Sequence, residues 1–331
     1  MASGLWSRIK QLVTGSSMIA NESLTSVEID RPDWEGAPAI ISENLKGKLD
    51  YVQCISTSGL HKMAYRTWGN LNNAKVLLCV HGLTRRGSDF EELALAMSDR
   101  YRVVCPDVVG RGDSDFLSNP LLYGVPQYVS DMVALVARLN PTQLDWFGTS
   151  MGGLIGMVYG GLKNCPIHRL LLNDVGPKID PAFLVRLMTY LGKPVKFATQ
   201  AEGLAYLNQL TVTFGKFTPE QAAKYNSPNL IQKDGVWTLH YDLAISAPLM
   251  AATPAAAAAA AGEMALWKSY EAISASTLIV RGAESDLLSR KTVEEMCKRN
   301  SKARAVEIPD CGHAPAFIVP EQIEIARNFF A

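Results

Sequence analysis

Gly148-Thr149-Ser150-Met151-Gly152 sets one serine between two glycines, directly after the apolar stretch Leu144-Asp145-Trp146-Phe147 and before the small-residue run Met151 to Tyr159. A strand, a tight turn and a helix are therefore written around Ser150. In a nucleophile-elbow turn the serine occupies a strained backbone conformation, and the flanking glycines remove the Cβ atoms that would collide where strand and helix cross. The pattern alone also fits a glycine-rich turn without chemistry. The rest of the chain decides between the two.

At 331 residues the chain can bury a full core, and one α/β domain with an insertion is as compatible with that length as two small domains. Hydrophobic residues make up 48% and charged residues 19%, with a formal net charge of zero, so no electrostatic drive toward nucleic acid or an anionic membrane exists. A small-molecule substrate is expected, and no nucleic acid. Association into a homo-oligomer stays open. No apolar run approaches the roughly 20 residues of a transmembrane helix. Leu5 to Val13 has apolar residues at helical spacing but is interrupted by Arg8 and Lys10, which predicts an N-terminal helix and not a secretory signal. The six cysteines are scattered without metal-ligand spacing and fall largely in apolar segments, as expected of buried thiols in a reducing cytoplasm.

After a polar lead-in (1–45), two runs, Tyr51 to Ser56 and Lys62 to Trp68, predict an antiparallel hairpin. From Val76 onward strands alternate with helices: strands at 75–80, 101–105, 144–147 and 169–172, helices at 90–97, 128–139 and 151–160. This alternation predicts a mostly parallel sheet, eight strands in all, covered by helices on both faces. It lapses across 177–268, where the chain is mainly helical apart from a short turn near Lys233 to Thr238, and resumes with a strand at 277–280, a helix at 291–298, a strand at 305–308 and a helix at 321–330. The expected organisation is a core of 46–176 and 269–331 interrupted by a helical cap, 177–268. Within that cap Thr253 and Pro254 suit the start of a helix carried by the alanines 255–261.

A serine hydroxyl needs a general base, usually a histidine oriented by a carboxylate. Of five histidines, His313 lies in a loop after the last strand, Asp310-Cys311-Gly312-His313-Ala314-Pro315, where a parallel sheet presents functional groups. The carboxylate is expected in Arg281-Gly282-Ala283-Glu284-Ser285-Asp286, with Asp286 the choice and Glu284 and Asp174 the alternatives. Oxyanion donors are expected from the backbone N–H groups of Met151 and of Leu83, in Val80-His81-Gly82-Leu83, with His81 buttressing that loop.

With His81-Gly82, the turn from Asp107 to Asp115, the elbow, Asp286 and Gly312-His313 in place, the chain resembles the α/β-hydrolase superfamily over about 51–331. The resemblance implies the α/β-hydrolase fold and a cofactor-free, metal-free serine hydrolase whose cap shapes the pocket. It is nearest to the capped esterase, lactonase and carbon–carbon hydrolase branch of bacterial catabolism, with ester cleavage the leading expectation. Carbon–carbon, lactone or amide hydrolysis by the same triad, and a non-catalytic binder on a retired scaffold, are the alternatives. Leu83 to Ser88 lacks the triple glycine of many lipases, and a serine at the elbow excludes the aspartate-dependent dehalogenases and epoxide hydrolases. Arg85 and Arg86 are candidates for a substrate carboxylate, against a reading as plain loop cations. Phe183, Leu187, Met188, Tyr190, Tyr206, Phe214, Tyr241 and Trp267 are candidates for an apolar pocket wall or for ordinary core packing.

Overall fold

The apolar run Lys75–Val80 is buried along all but its first residue, which only the middle of a doubly covered sheet allows. In the computed structural model, which describes residues 47–251 and 256–331, this strand, β3, lies between β4 (Arg102–Pro106) and β5 (Gln143–Thr149), parallel to both. β6 (Ile167–Asn173), β9 (Ser276–Gly282) and β10 (Ala303–Ile308) continue the parallel side. On the other side β2 (Gly59–Trp68) joins β4 antiparallel and carries β1 (Lys48–Ser56) at the edge. The order is β1-β2-β4-β3-β5-β6-β9-β10, the expected mostly parallel eight-stranded sheet. The N-terminal helix expected at 5–13 lies outside the described residues.

Helices flank the sheet in the alternation that the sequence predicts: α1 (Glu91–Met97), α2 (Val125–Leu139), α3 (Met151–Gly160), and near the C-terminus α9 (Arg290–Arg299) and α10 (Pro320–Phe329). Between β6 and β9 stand α4 (Pro181–Leu187), α5 (Gln200–Leu210), α6 (Pro219–Asn226), α7 (Ala247–Ala251) and α8 (Ala256–Glu271). Their starts are chemically marked: the side chains of Asp180, Thr199 and Thr218 each accept a backbone N–H of the first turn, and Thr218 and Gln221 cap one another's backbone. The region is not helical throughout. Leu230–Lys233 (β7) and Val236–Leu239 (β8) pair antiparallel, because Asp234 and Gly235 take the positive φ values, 50° and 79°, of a tight hairpin turn.

The alanine run enters α8, while Thr253 and Pro254 lie outside the described residues. α8 also straddles residue 268, the expected end of the insertion. Its last turns, with Trp267 and Tyr270 buried, belong to the main core.

Sheet and helix meet closely at α3. A Cβ on Gly152 would sit 1.9 Å from the Val80 carbonyl oxygen, and one on Gly156 2.5 Å from Trp146 Nε1. Trp146 is fully buried and donates that N–H to the Gly152 carbonyl at 3.2 Å. At Gly152 glycine is needed because backbone, not a movable side chain, fills the space. Gly152→Ala should therefore destabilise the fold by about 3 kcal/mol, the upper part of the range for overpacked cores, seen as a lower urea midpoint at unchanged slope.

Candidate active site

The turn from β5 into α3 holds Ser150 at φ 51°, ψ −115°. No ordinary residue prefers this conformation, so the surroundings must impose it. The Ser150 N–H donates to the Asn173 carbonyl of β6 at 2.9 Å, and its carbonyl accepts from Gly153 and Leu154 inside the helix. The side chain is left to face His313, whose Nε2 lies 2.9 Å from Ser150 Oγ.

The other imidazole nitrogen shows which carboxylate accompanies it. His313 Nδ1 is 2.7 Å from Asp174 Oδ2, and Asp174 is fully buried. Its Oδ2 also accepts from Ser285 Oγ at 2.7 Å, and its Oδ1 from the Gly282 N–H at 3.0 Å. Asp174 follows β6 directly, with φ 54°, and its own N–H reaches the Val280 carbonyl of β9. Asp286, the choice from sequence, is not at the histidine. It is exposed and accepts both Nε and Nη2 of Arg186, at 2.7 and 2.9 Å. The physical reason is reach: the strand β9 ends at Gly282, and the chain turns through Ser285, which delivers its hydroxyl to Asp174 while Asp286 points outward. Asp174 was one of the alternatives; Ser285, the link between the two strand ends, went unnoticed.

The loop after β3 lies beside the serine, since a Cβ on Gly82 would be 3.8 Å from Ser150 Cβ. Gly82, Leu83, Ser150 and Met151 all line one cavity. Met151 opens α3, so its N–H is among those without an intrahelical acceptor. His81 is fully buried; its Nε2 accepts from the Val108 N–H at 2.9 Å and its Nδ1 lies 2.7 Å from the Gly82 carbonyl. It ties the end of β3 to the end of β4, as expected of a buttress.

Arg111 is a further support. Fully buried, it donates Nε to the Leu83 carbonyl at 2.9 Å and Nη1 to the Val109 carbonyl and Tyr128 hydroxyl, with Nη2 3.6 Å from Met151 Sδ. It makes no ion pair with a carboxylate among the described residues.

Arg85 and Arg86 are also buried, and most of their donors bond within the protein, although Arg86 Nε has no hydrogen-bond partner among the described residues. Arg85 forks onto Asp89 at 2.7 and 2.8 Å, donates to the Asn226 side chain and the Tyr225 carbonyl, and lies 4.2 Å over the Tyr225 ring. Arg86 binds Asp107, Asp113, His240 and the Pro228 carbonyl, and does not line the cavity. Both tie the loop after β3 to residues 225–240, and Arg85 also lines the cavity. Of the pocket candidates, Phe183, Leu187, Tyr190, Phe214 and Tyr241 line the cavity; Met188, Tyr206 and Trp267 do not. Trp267 instead packs on Tyr270 and beneath the Arg299 guanidinium.

The cavity measures about 330 Å³ and is walled mostly by apolar side chains, with Ser150 and His313 on its lining. Phe183 meets the His313 ring edge-on, centroids 4.9 Å apart. Cys311 is not a rival nucleophile, because burial pushes its thiol up to about 12. Away from this site, Cys54, His61 and Asp131 bring one ligand atom each within 4.8 Å of the others. They are buried between the β1–β2 hairpin and α2, and burial likewise pushes the Cys54 thiol up to about 12, so it packs as a neutral thiol against the His61–Asp131 contact of 3.2 Å.

A model of the α/β hydrolase family matches residues 77–324. The 3-hydroxybutyrate-oligomer hydrolase of Cupriavidus necator is 54% identical over 287 residues, covering 86% of this chain and 97% of that protein. The pimeloyl-(acyl-carrier protein) methyl ester esterase of Aeromonas hydrophila is 26% identical over 256 residues, 76% of this chain and 94% of that one. Among solved structures, an α/β hydrolase from Novosphingobium aromaticivorans superposes with a TM-score of 0.74 at 30% identity, covering 86% of this chain and 99% of that one. The chain belongs to the α/β hydrolase family. It is an enzyme of ester hydrolysis.

Burial, reinforced by the nearby Arg111, Arg86 and Arg85, pushes the His81 pKa down from 6.5 to about 3. Between those values the unfolded chain binds a proton that the folded one refuses, so stability falls as pH falls. From pH 6.5 to pH 5 the loss from this group should be about 2 kcal/mol. Urea unfolding of the wild type and His81→Gln at pH 7 and pH 5 should show the smaller pH dependence in the variant.

Proposed function

We propose that the chain is a serine esterase that cleaves short oligomers of 3-hydroxybutyrate through an acyl-enzyme on Ser150. The observation that carries this reading is the unbroken relay Ser150 Oγ, His313, Asp174 on the wall of an apolar cavity. The likeness to the Cupriavidus enzyme along almost its whole length supports the substrate class. Oligomers of this acid are chains of ester bonds bearing one methyl branch per unit, which suits a small, mainly apolar cavity with few polar contacts.

In this reading His313 Nε2 takes the Ser150 proton as Oγ attacks the ester carbonyl. Asp174 accepts the Nδ1–H bond, holding the productive tautomer and stabilising the imidazolium. Its remaining contacts, from Ser285 Oγ and Gly282 N–H, stop it from turning away. The Leu83 and Met151 N–H groups receive the developing oxyanion. The Gly82 carbonyl, at the other end of the Leu83 N–H peptide, lies 2.7 Å from His81 Nδ1 and accepts the Arg85 backbone N–H, which keeps that peptide in orientation, while Arg111 holds the peptide that follows. The proton on His313 then passes to the leaving alkoxide as the acyl–oxygen bond breaks. Water, deprotonated by His313, attacks the acyl-enzyme and frees Ser150.

Residues 177–268 act in this reading as the cap, supported by the cavity residues Phe183, Leu187, Tyr190, Phe214 and Tyr241 that it supplies. Six unpaired cysteines, four of them buried, support a reducing cytoplasm. Among the described residues no helix is long and apolar enough to cross a membrane.

Ser150→Ala should lose turnover of both p-nitrophenyl butyrate and the 3-hydroxybutyrate dimer, together with labelling by a fluorophosphonate. Asp174→Asn should lower kcat by about 10³- to 10⁴-fold, whereas Asp286→Asn should stay within about threefold on p-nitrophenyl butyrate, since exposed ion pairs contribute little. A dimer left intact while simple esters are cleaved would exclude the oligomer as substrate.

A further inference from the structure

An oligomer of 3-hydroxybutyrate ends in a carboxylate, and the cavity offers two arginines to meet it. Arg85 is neutralised inside the protein by the Asp89 fork and further held by Asn226 and Tyr225. Arg186 differs. It lines the same cavity, its only carboxylate partner among the described residues is Asp286, and both side chains of that pair are about two-fifths exposed. Asp286 takes Nε and Nη2, which leaves Nη1 without a hydrogen bond among the described residues. Water screens so exposed a pair, so an incoming carboxylate can share the guanidinium through Nη1 or displace Asp286.

The side of the cavity on which Arg186 stands follows from the chemistry. The group that protonates the leaving alkoxide is His313, so the leaving part of the ester lies next to the imidazole. Phe183 touches the His313 ring at 4.9 Å between centroids, and the Arg186 guanidinium lies 5.0 Å from the Phe183 centroid, one turn along α4. Phe183 thus forms a short apolar bridge from imidazole to cation. In a 3-hydroxybutyryl ester whose leaving group is the terminal unit, the carboxylate carbon is four bonds from the scissile carbonyl, roughly 5 Å when extended. That spacing sets the carboxylate over Phe183, whose ring centroid is 5.0 Å from the Arg186 guanidinium.

We propose that Arg186 binds the free carboxylate of the leaving 3-hydroxyacid, so that the enzyme removes units from the carboxyl end of its oligomers. This rests on the esterase reading above and adds a specificity residue to it. Asp286 then stands in for the substrate carboxylate when the cavity is empty.

The test uses the full chain and a pair of probes that differ only at that carboxylate, 3-butanoyloxybutanoate and its methyl ester. Wild type should favour the acid over the methyl ester by tenfold or more in kcat/KM, as a charge-assisted contact implies. Arg186→Gln should bring the ratio near one, chiefly through KM for the acid, and Arg186→Lys should retain an intermediate ratio. A purely structural role for Arg186 would lower both rates together and leave the ratio standing. A wild-type ratio near one, or a ratio that survives Arg186→Gln, overturns the assignment. Turnover of the 3-hydroxybutyrate dimer is measured in parallel: failure there, with the acid preference present, overturns the oligomer reading and leaves Arg186 assigned.

Discussion

The approach of Gly152 to the Val80 carbonyl is the constraint on which the site is built. Because α3 can rest directly on the end of β3, the turn at Ser150 is forced into its unusual conformation and the loop at Gly82 and Leu83 comes to lie beside the serine. Trp146 secures the same junction from below, by packing under Gly156 and bonding to Gly152. The β6 end is drawn in through the Ser150 N–H to Asn173 bond, and the next residue is Asp174. One backbone contact thereby sets the relative positions of three loops from different strands.

Charge is handled differently in two parts of the molecule. Arg85 and Arg86 are buried with carboxylates and serve as rivets between the core loop and the insertion. Arg111 is buried among carbonyls, a hydroxyl and the rings of Tyr123 and Tyr128, without a carboxylate. Desolvating a cation is costly unless polar groups surround it. Here those groups include the Leu83 carbonyl, so Arg111 fixes the peptide at Leu83–Thr84 in the loop beside the serine.

The sheet was legible because its parallel strands are short apolar runs separated by helical periods, and Ser150 and His313 because glycines and a strand-end loop mark them. Asp174 was harder to read. Two strand ends, after β6 and after β9, each offer a carboxylate, and one-dimensional order does not reveal which turn points inward. The deciding feature is the turn after β9, in which the Ser285 hydroxyl faces Asp174 while Asp286 faces outward to Arg186. The Asp234-Gly235 turn carried the usual signature of a hairpin, yet its strands are four residues each, too short to stand out from a helical neighbourhood. For Arg85 and Arg86 the missing information was long-range: their partners, Asn226, Tyr225, His240 and Pro228, lie some 140 residues and more away in sequence.

Asp174 is the last residue of the sheet's framework before the insertion departs, and its side chain is held by β9 and by the turn after it, not by the helices that follow. The chain that leaves Asp174 becomes part of the pocket wall at Val175, and again at Ile179 and Phe183. A recombination boundary placed after Val175 and before the last turns of α8 would exchange α4 to α7 for another segment while keeping the Asp174, Ser285 and Gly282 bonds and the core residues Trp267 and Tyr270. One placed a few residues earlier would carry away the carboxylate together with the wall. Such an exchange would also have to supply new partners for Arg85 and Arg86, which now bond to residues 225–240.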